Sequence, residues 1–259
     1  MTPLLDIVFE DDNLLVLNKP AGLVCHPTKA GPLSSLISRV RLHLGSTASL
    51  VNRLDRETSG VTVVAKNAAS ARLLGKIWEN RAVEKEYIAV VHGTVAPEEG
   101  VIDLALGKDE KSQIAIKDCV RPDGAAAQTE FRVERRFRRD NADFTRVRLK
   151  PRTGRKHQIR IHLAAIGHPI VGDKLYGSNE DYYLALVQNR LTPNDWGQLR
   201  LANHALHANS VRFPWRDVVR TFSAEPEAAF QEWAGGGGEK NPLQAEYPMQ
   251  IKVRVSEYL

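Results

Sequence analysis

The chain has 259 residues, 42% of them hydrophobic and 26% charged, and carries a net charge of +5. That is enough chain for one good core, and one large domain or two small ones are equally open. No run approaches eighteen consecutive apolar residues, which argues against a membrane-spanning helix, and "MTPLLDIVFEDD" lacks the basic and long apolar regions of a signal peptide.

"LDIVFEDDNLLVLNKPAG" reads as two short strands around the acidic turn Asp11-Asp12-Asn13, closed by Pro20 and Gly22. In "LSSLISRVRLHLG", Leu33, Leu36, Ile37, Val40 and Leu44 fall at helical spacing, with Gly45 as the stop. "VTVVAK" is a β-branched strand, and "NAASARLLGKIWENRA" a helix with Asn67 as its N-cap. "EKEYIAVVHG" is a strand, and "AQTEFRVERRF" with "DFTRVRLKP" forms a hairpin pair. "GRKHQIRIHLAAIGHP" reads as a helix with an apolar stripe of Ile159, Leu163 and Ile166, ended by Gly167 and Pro169. Arginine and lysine are dense from 133 to 162, which fits a solvated face or phosphate binding. "HALHANSVRFPW" is a further strand and "PEAAFQEWA" a short helix. A glycine run at 235–238 then leads to a strand-like tail, "MQIKVRVSEYL". Strands and helices mix without regular alternation, so the expected class is α+β, with a mixed, largely antiparallel sheet and flanking helices.

Several chemistries find no support. There is no GxGxxG after a strand, no Walker-type loop, no GxSxG and no HExxH. Cys25 and Cys119 lack CxxC spacing and read as thiols of a reducing cytoplasm. His157 and His162 are five residues apart, a spacing that does not put both on one helix face for a metal. Three polar residues at element edges remain as candidates. Asp55 sits in "RLDRETSG", in a turn that leads into a buried strand, either as a surface carboxylate paired with neighbouring arginines or as a reactive group. Tyr87 shares a strand face with Lys85 and Ala89, as a packing residue or a base-stacking one. Arg160 lies off the apolar stripe of its helix, which taken alone suggests a solvent-facing cation.

Four segments, "LNKPAGLVCHP", "VNRLDRETSGVTVVAK", "EKEYIAVVHG" and "PRTGRKHQIRIHLAAIGHPIVGDKLYG", resemble successive motifs of the RluA-type RNA pseudouridine synthases. The resemblance runs from about Asp6 to about Phe222 and implies the pseudouridine synthase catalytic fold, on residues 1–234; the glycine-rich joint and strand-like tail, 235–259, are not part of the pattern. It implies an enzyme that isomerises uridine to pseudouridine in structured ribosomal or transfer RNA, with no cofactor, no metal and no membrane, acting as a monomer in the cytoplasm. By position, Asp55 would be the catalytic carboxylate, Tyr87 the aromatic residue against the target base, and Arg160 the cation paired with the aspartate. Arg53 would help hold the flipped nucleotide, and Arg56, Arg155, Lys156 and His157 would contact RNA. The first motif begins within the first twenty residues, so RNA affinity is expected from the catalytic domain itself. Asn52 departs from the histidine usual before the Arg-Leu-Asp.

These residue types suit the reaction. The target base must leave its stack to react, at a cost of a few kcal/mol that stacking and phosphate contacts offset. The carboxylate must be ionised, and a permanently charged guanidinium favours that state where burial opposes it. A non-catalytic RNA-binding or chaperone protein on the same fold is the alternative, although a binder has no need of a carboxylate facing a polyanion. A metal-dependent RNA hydrolase would require a carboxylate cluster that the sequence lacks.

Overall fold

The computed structural model describes residues 4–27, 31 and 33–235; most of the glycine run and the strand-like tail lie outside the described residues. In chain order the elements are β1 (Ile7–Glu10), β2 (Leu14–Lys19), α1 (Leu36–Leu44), β3 (Ser49–Leu50), β4 (Ser59–Ala65), α2 (Ala68–Glu79), β5 (Glu84–His92), β6 (Glu99–Asp103), β7 (Leu106–Lys108) and β8 (Asp118–Val120). There follow β9 (Gln128–Arg139), β10 (Ala142–Pro151), α3 (Gln158–Ala165), α4 (Asp181–Val187), α5 (Pro193–Leu199), β11 (Leu206–Trp215), β12 (Val218–Ser223) and α6 (Ala228–Gly235). Contacts divide the described residues into two compact units, one running up to Tyr87 with Leu206–Glu227 and one of Ile88–Ala205 with the α6 segment from Ala228.

In the first unit the strand order is β1-β2-β4-β11-β5, with β3 on β4 and β12 on β11. The acidic turn forms as its sequence suggests. Asp11 Oδ1 accepts from the backbone N–H groups of Asn13 and Leu14, both at 2.7 Å, which closes the β1–β2 connection. β2 and β4 pair antiparallel from Leu14↔Ala65 to Lys19↔Gly60 and are buried on both faces. Leu14, Val16, Val61 and Val63 meet Leu74, Phe213, Trp215 and Phe222 on one side. Leu15, Leu17 and Val64 meet Leu36, Ile37, Val40 and Leu54 on the other. A strand covered on both faces must be apolar at consecutive positions, which is why "LLVL" and "VTVV" do not alternate. α1 starts at Leu36 because the Ser35 side chain accepts from Ser38 N. Leu33, expected on its apolar face, therefore lies outside the helix and is 53% exposed. α2 has the expected cap, with Asn67 Oδ1 accepting from Ser70 N at 2.9 Å.

In the second unit the order is β5-β10-β9-β6, beside a separate β7–β8 pair. β9 and β10 form the expected antiparallel hairpin, turning through Asp140 and Asn141, both at positive φ (48° and 58°). Phe137, Phe144 and Trp233 of α6 make an aromatic cluster at one end. Leu106, Ile114, Ala127, Ile161, Leu175 and Tyr176 form another core.

α3 differs from its sequence reading. It begins only at Gln158, because His157 sits at φ 55°, in the left-handed region. Gln158, Ile159, Arg160, Ile161, His162 and Leu163 are all buried, so no single apolar stripe exists, and Ile166 is its half-buried cap. Packing against β8, β9 and β10 encloses the helix. Its polar members are accommodated by hydrogen bonds. Gln158 Nε2 donates to Gln128 O and Thr129 Oγ1, both at 2.9 Å, and His162 bridges Thr129 Oγ1 and Leu104 O at 2.9 and 3.0 Å.

Candidate active site

Asp55 lies in the loop between β3 and β4, half-buried. The loop is fastened on either side of it. The Cys25 thiol accepts from Leu54 N at 3.3 Å and donates to Leu54 O at 3.4 Å. Arg56 O accepts from Gly22 N at 2.9 Å and from Lys19 Nζ at 3.1 Å, while Arg56 Nε donates to Gly22 O at 3.2 Å. Thr58 N closes the turn onto Asp55 O at 3.2 Å. A carboxylate with both backbone neighbours tied to the "KPAGLVC" segment is held in place before any substrate arrives.

Lys19 is the residue of this group that sequence reading passed over. It is fully buried and donates to Pro20 O and Leu23 O, both at 2.8 Å, as well as to Arg56 O. Burial pulls its pKa from 10.5 down to about 8, opposed by its electrostatic interaction with Cys25 and with the carboxylates of Glu227 and Asp55. A signal existed: Leu15, Leu17 and Lys19 occupy one phase of β2, so its side chain had to follow the apolar ones inward.

Asn52 fills the place of the usual histidine. Its Oδ1 accepts from Val63 N at 2.7 Å and its Nδ2 donates to Val61 O at 3.3 Å, along the edge of β4. The amide presents donor and acceptor side by side, which matches a strand's N–H and C=O two residues apart. Arg53 is exposed and Arg56 half-buried. Tyr87 closes this unit at the middle of β5, half-buried against the cluster that holds Leu54, Cys25 and Leu17. Burial pushes its hydroxyl pKa well above the usual value, and the negative charge of Asp55 adds to that. The first unit thus brings Asp55, Tyr87 and Lys19 within electrostatic reach of one another.

The other expected site residues belong to the second unit. Arg160 is buried, not solvent-facing: it is 8% exposed, with Nε 2.7 Å from Asp173 Oδ2 and Nη2 2.9 Å from Asp173 Oδ1. Helical position alone could not show this, because the covering loop, "VGDKLYG", comes later in the chain. The Arg160 guanidinium holds the Asp173 carboxyl well below the usual carboxylate range against the opposing effect of burial. His157 Nδ1 is 2.9 Å from the Tyr176 hydroxyl, Lys156 pairs with Asp118 at 3.0 Å, and exposed Arg155 donates through Nε to Ala126 O at 3.1 Å. Of these, Lys156 and Arg155 present cations at the surface before α3, while His157 is engaged in the structure of the turn. No group of three or more His, Cys, Asp or Glu side chains able to hold a metal occurs among the described residues.

With this geometry, the comparisons define the class: the chain belongs to the RNA pseudouridylate synthase family, of the RluA type, whose family model matches residues 13–165. It is 39% identical over 212 residues to the dual-specificity RNA pseudouridine synthase RluA of Salmonella typhimurium, covering 82% of this chain and 92% of that one. It is 38% identical over 181 residues to the uncharacterized RNA pseudouridine synthase YlyB of Bacillus subtilis, covering 67% of this chain and 58% of that one. The chain thus spans about three fifths of the length of that Bacillus relative. Among solved structures, human RNA pseudouridylate synthase domain containing 1 superposes with a TM-score of 0.70 at 26% identity, covering 87% of this chain and 86% of that one. The α+β architecture with its largely antiparallel sheet is the fold of that family.

Proposed function

We propose that this protein isomerises specific uridines to pseudouridine in structured ribosomal or transfer RNA, without metal or cofactor, and that Asp55 carries the reaction. The observation behind this reading is the Asp55 loop, fastened through Leu54 and Arg56 with Tyr87 beside it, in a chain of this family. The target uridine is flipped out of its stack, with Arg53 and Arg56 near the displaced nucleotide and Arg155 and Lys156 toward the RNA backbone. The Asp55 carboxylate attacks C1′ or removes the C2′ proton, and the bond from C1′ to N1 breaks. The uracil turns and C5 bonds to C1′ as the Asp55 oxygen leaves or, on the second route, as C2′ takes its proton back; the C5 hydrogen then leaves as a proton and N1 gains one. Arg160 serves as the cationic partner of the reacting carboxylate. Tyr87 offers a flat ring to the base. Its raised hydroxyl pKa disfavours a role as the base that takes the C5 proton, since an anion there would be both buried and near Asp55.

Loss of the C5 hydrogen supplies the test. RNA carrying tritium at uridine C5 is incubated with the protein in EDTA, and tritium released to water is counted. Release with matching pseudouridine supports the reading. RNA binding without release from any ribosomal or transfer RNA indicates the non-catalytic binder, and release abolished by EDTA indicates metal chemistry.

A further inference from the structure

Asp173 lies in the "VGDKLYG" segment after α3, 2% exposed. Its carboxylate takes four donors: Arg160 Nε and Nη2, and the backbone N–H groups of Leu175 and Tyr176 at 2.9 and 3.0 Å. The two backbone bonds fix the carboxylate to its own loop. The two guanidinium bonds then fix the plane of Arg160 to the carboxylate. Tyr176 completes the grip, with its ring centroid 5.0 Å from Arg160 Cζ. That ring is itself anchored, since its hydroxyl accepts from Asp118 N at 3.1 Å and shares a hydrogen with His157 Nδ1. A buried ion pair adds little to stability compared with apolar groups of the same shape, because desolvation cancels most of the attraction. What this arrangement supplies is orientation, held at both the edge and the face of the guanidinium.

We propose that Asp173 is a positioning residue for the isomerisation, holding the Arg160 guanidinium in one orientation with Tyr176 as its platform. This rests on the role given to Arg160 above.

The test is a double-mutant cycle on tritium release, using Asp173→Asn, Arg160→Lys and the combined variant. Asparagine keeps an acceptor for Leu175 N and Tyr176 N but turns an amide donor toward the guanidinium. The expected result for Asp173→Asn is a kcat loss of about 10- to 100-fold, the range that follows from misplacing a reacting group. RNA affinity in a filter-binding assay is expected to change by less than about threefold, since no phosphate contact is removed. In the Arg160→Lys background, Asp173→Asn is expected to cost less than about threefold more, because the geometry it protects is already lost. Full activity in both Arg160→Lys and Arg160→Ala would sink the role of Arg160, and the positioning role of Asp173 would fall with it. Arg160 variants that lose activity alongside an Asp173→Asn enzyme of wild-type kcat would overturn this proposal alone, as would losses that simply multiply. If Asp173→Asn does not fold, Tyr176→Leu carries the same test: a lower kcat in the wild-type background and no further loss in Arg160→Lys.

Discussion

Gly60 is the narrowest point of the framework that carries the Asp55 loop, and replacing it with alanine gives a sharp test of that framework. Gly60 is the second residue of β4, at φ 115°, and pairs with Ala208 where β4 and β11 run parallel. A Cβ there would lie 2.7 Å from Ala208 N and 2.8 Å from Ala208 C, and closer still to the Ala208 carbonyl oxygen. These are backbone atoms, so no side chain can swing away and β11 itself must move. The neighbouring pair, Ser59 and His207, is joined by a 2.8 Å bond from Oγ to Nδ1 that the same displacement would stretch. Gly45 is the control: it also has a positive φ, 88°, but nothing lies within 4 Å of its Cβ position. Both alanine variants incur the conformational strain, about 1–3 kcal/mol. Only Gly60→Ala adds overpacking, worth roughly 1–3 kcal/mol. At about 2–4 °C per kcal/mol for a protein of this size, Gly60→Ala should melt roughly 2–12 °C below Gly45→Ala. Differential scanning calorimetry reads this directly. Equal melting temperatures for the two variants would show that the β4–β11 approach is not a tight constraint.

Three further outcomes follow from the same structure. Lys19→Met removes a buried charge whose pKa is about 8 in the fold and 10.5 otherwise, so the wild type binds fewer protons than its unfolded chain between those values and gains stability as pH rises. That gap, at about 1.4 kcal/mol per pH unit, makes the wild type gain about 3 kcal/mol on the variant from pH 8 to 10.5; parallel urea curves across that window would contradict it. The buried His207 and His162 have lowered pKa values, chiefly from burial, and so favour the neutral form in the fold. Stability is therefore lost as pH falls below their usual 6.5, and Asp173 adds a second loss below the usual 3.8. His207→Gln should flatten the first stage in a series of melting curves, and an unchanged slope there would refute the assignment. Tyr87→Phe should keep pseudouridine formation within about tenfold of wild type, since the ring remains, whereas a complete loss would restore the hydroxyl as a proton acceptor.

The elements and the first half of the candidate site were legible for different reasons. β2, β4 and β5 are apolar on both faces or bounded by turn residues, and Asn67, Asp11 and Gly45 punctuate the chain by local hydrogen bonds or backbone freedom. Asp55 and Tyr87 stand out because they sit in long motifs. The surroundings of Arg160 were not legible, since a helix that looks amphipathic by spacing is enclosed by a loop contributed thirteen residues later. The weak strands β6, β7, β8 and β12 also escaped, being short or exposed, with Val101, Val218 and Val219 on the surface. α5 could have been found: Thr192, Pro193 and Asp195 form a capping box with proline at its start. Lys19 needed only its strand phase to be followed two residues beyond Leu17.

Whether Asp55 carries the chemistry is measured most simply by tritium release from Asp55→Asn under single-turnover conditions, beside its affinity for the same RNA. The change keeps size and hydrogen-bonding capacity while removing the anion. Binding should stay within about threefold of wild type, because the basic side chains that meet phosphate are untouched, and no release should be detectable. Release at the wild-type rate from the purified variant would contradict this and move the chemistry away from the loop between β3 and β4.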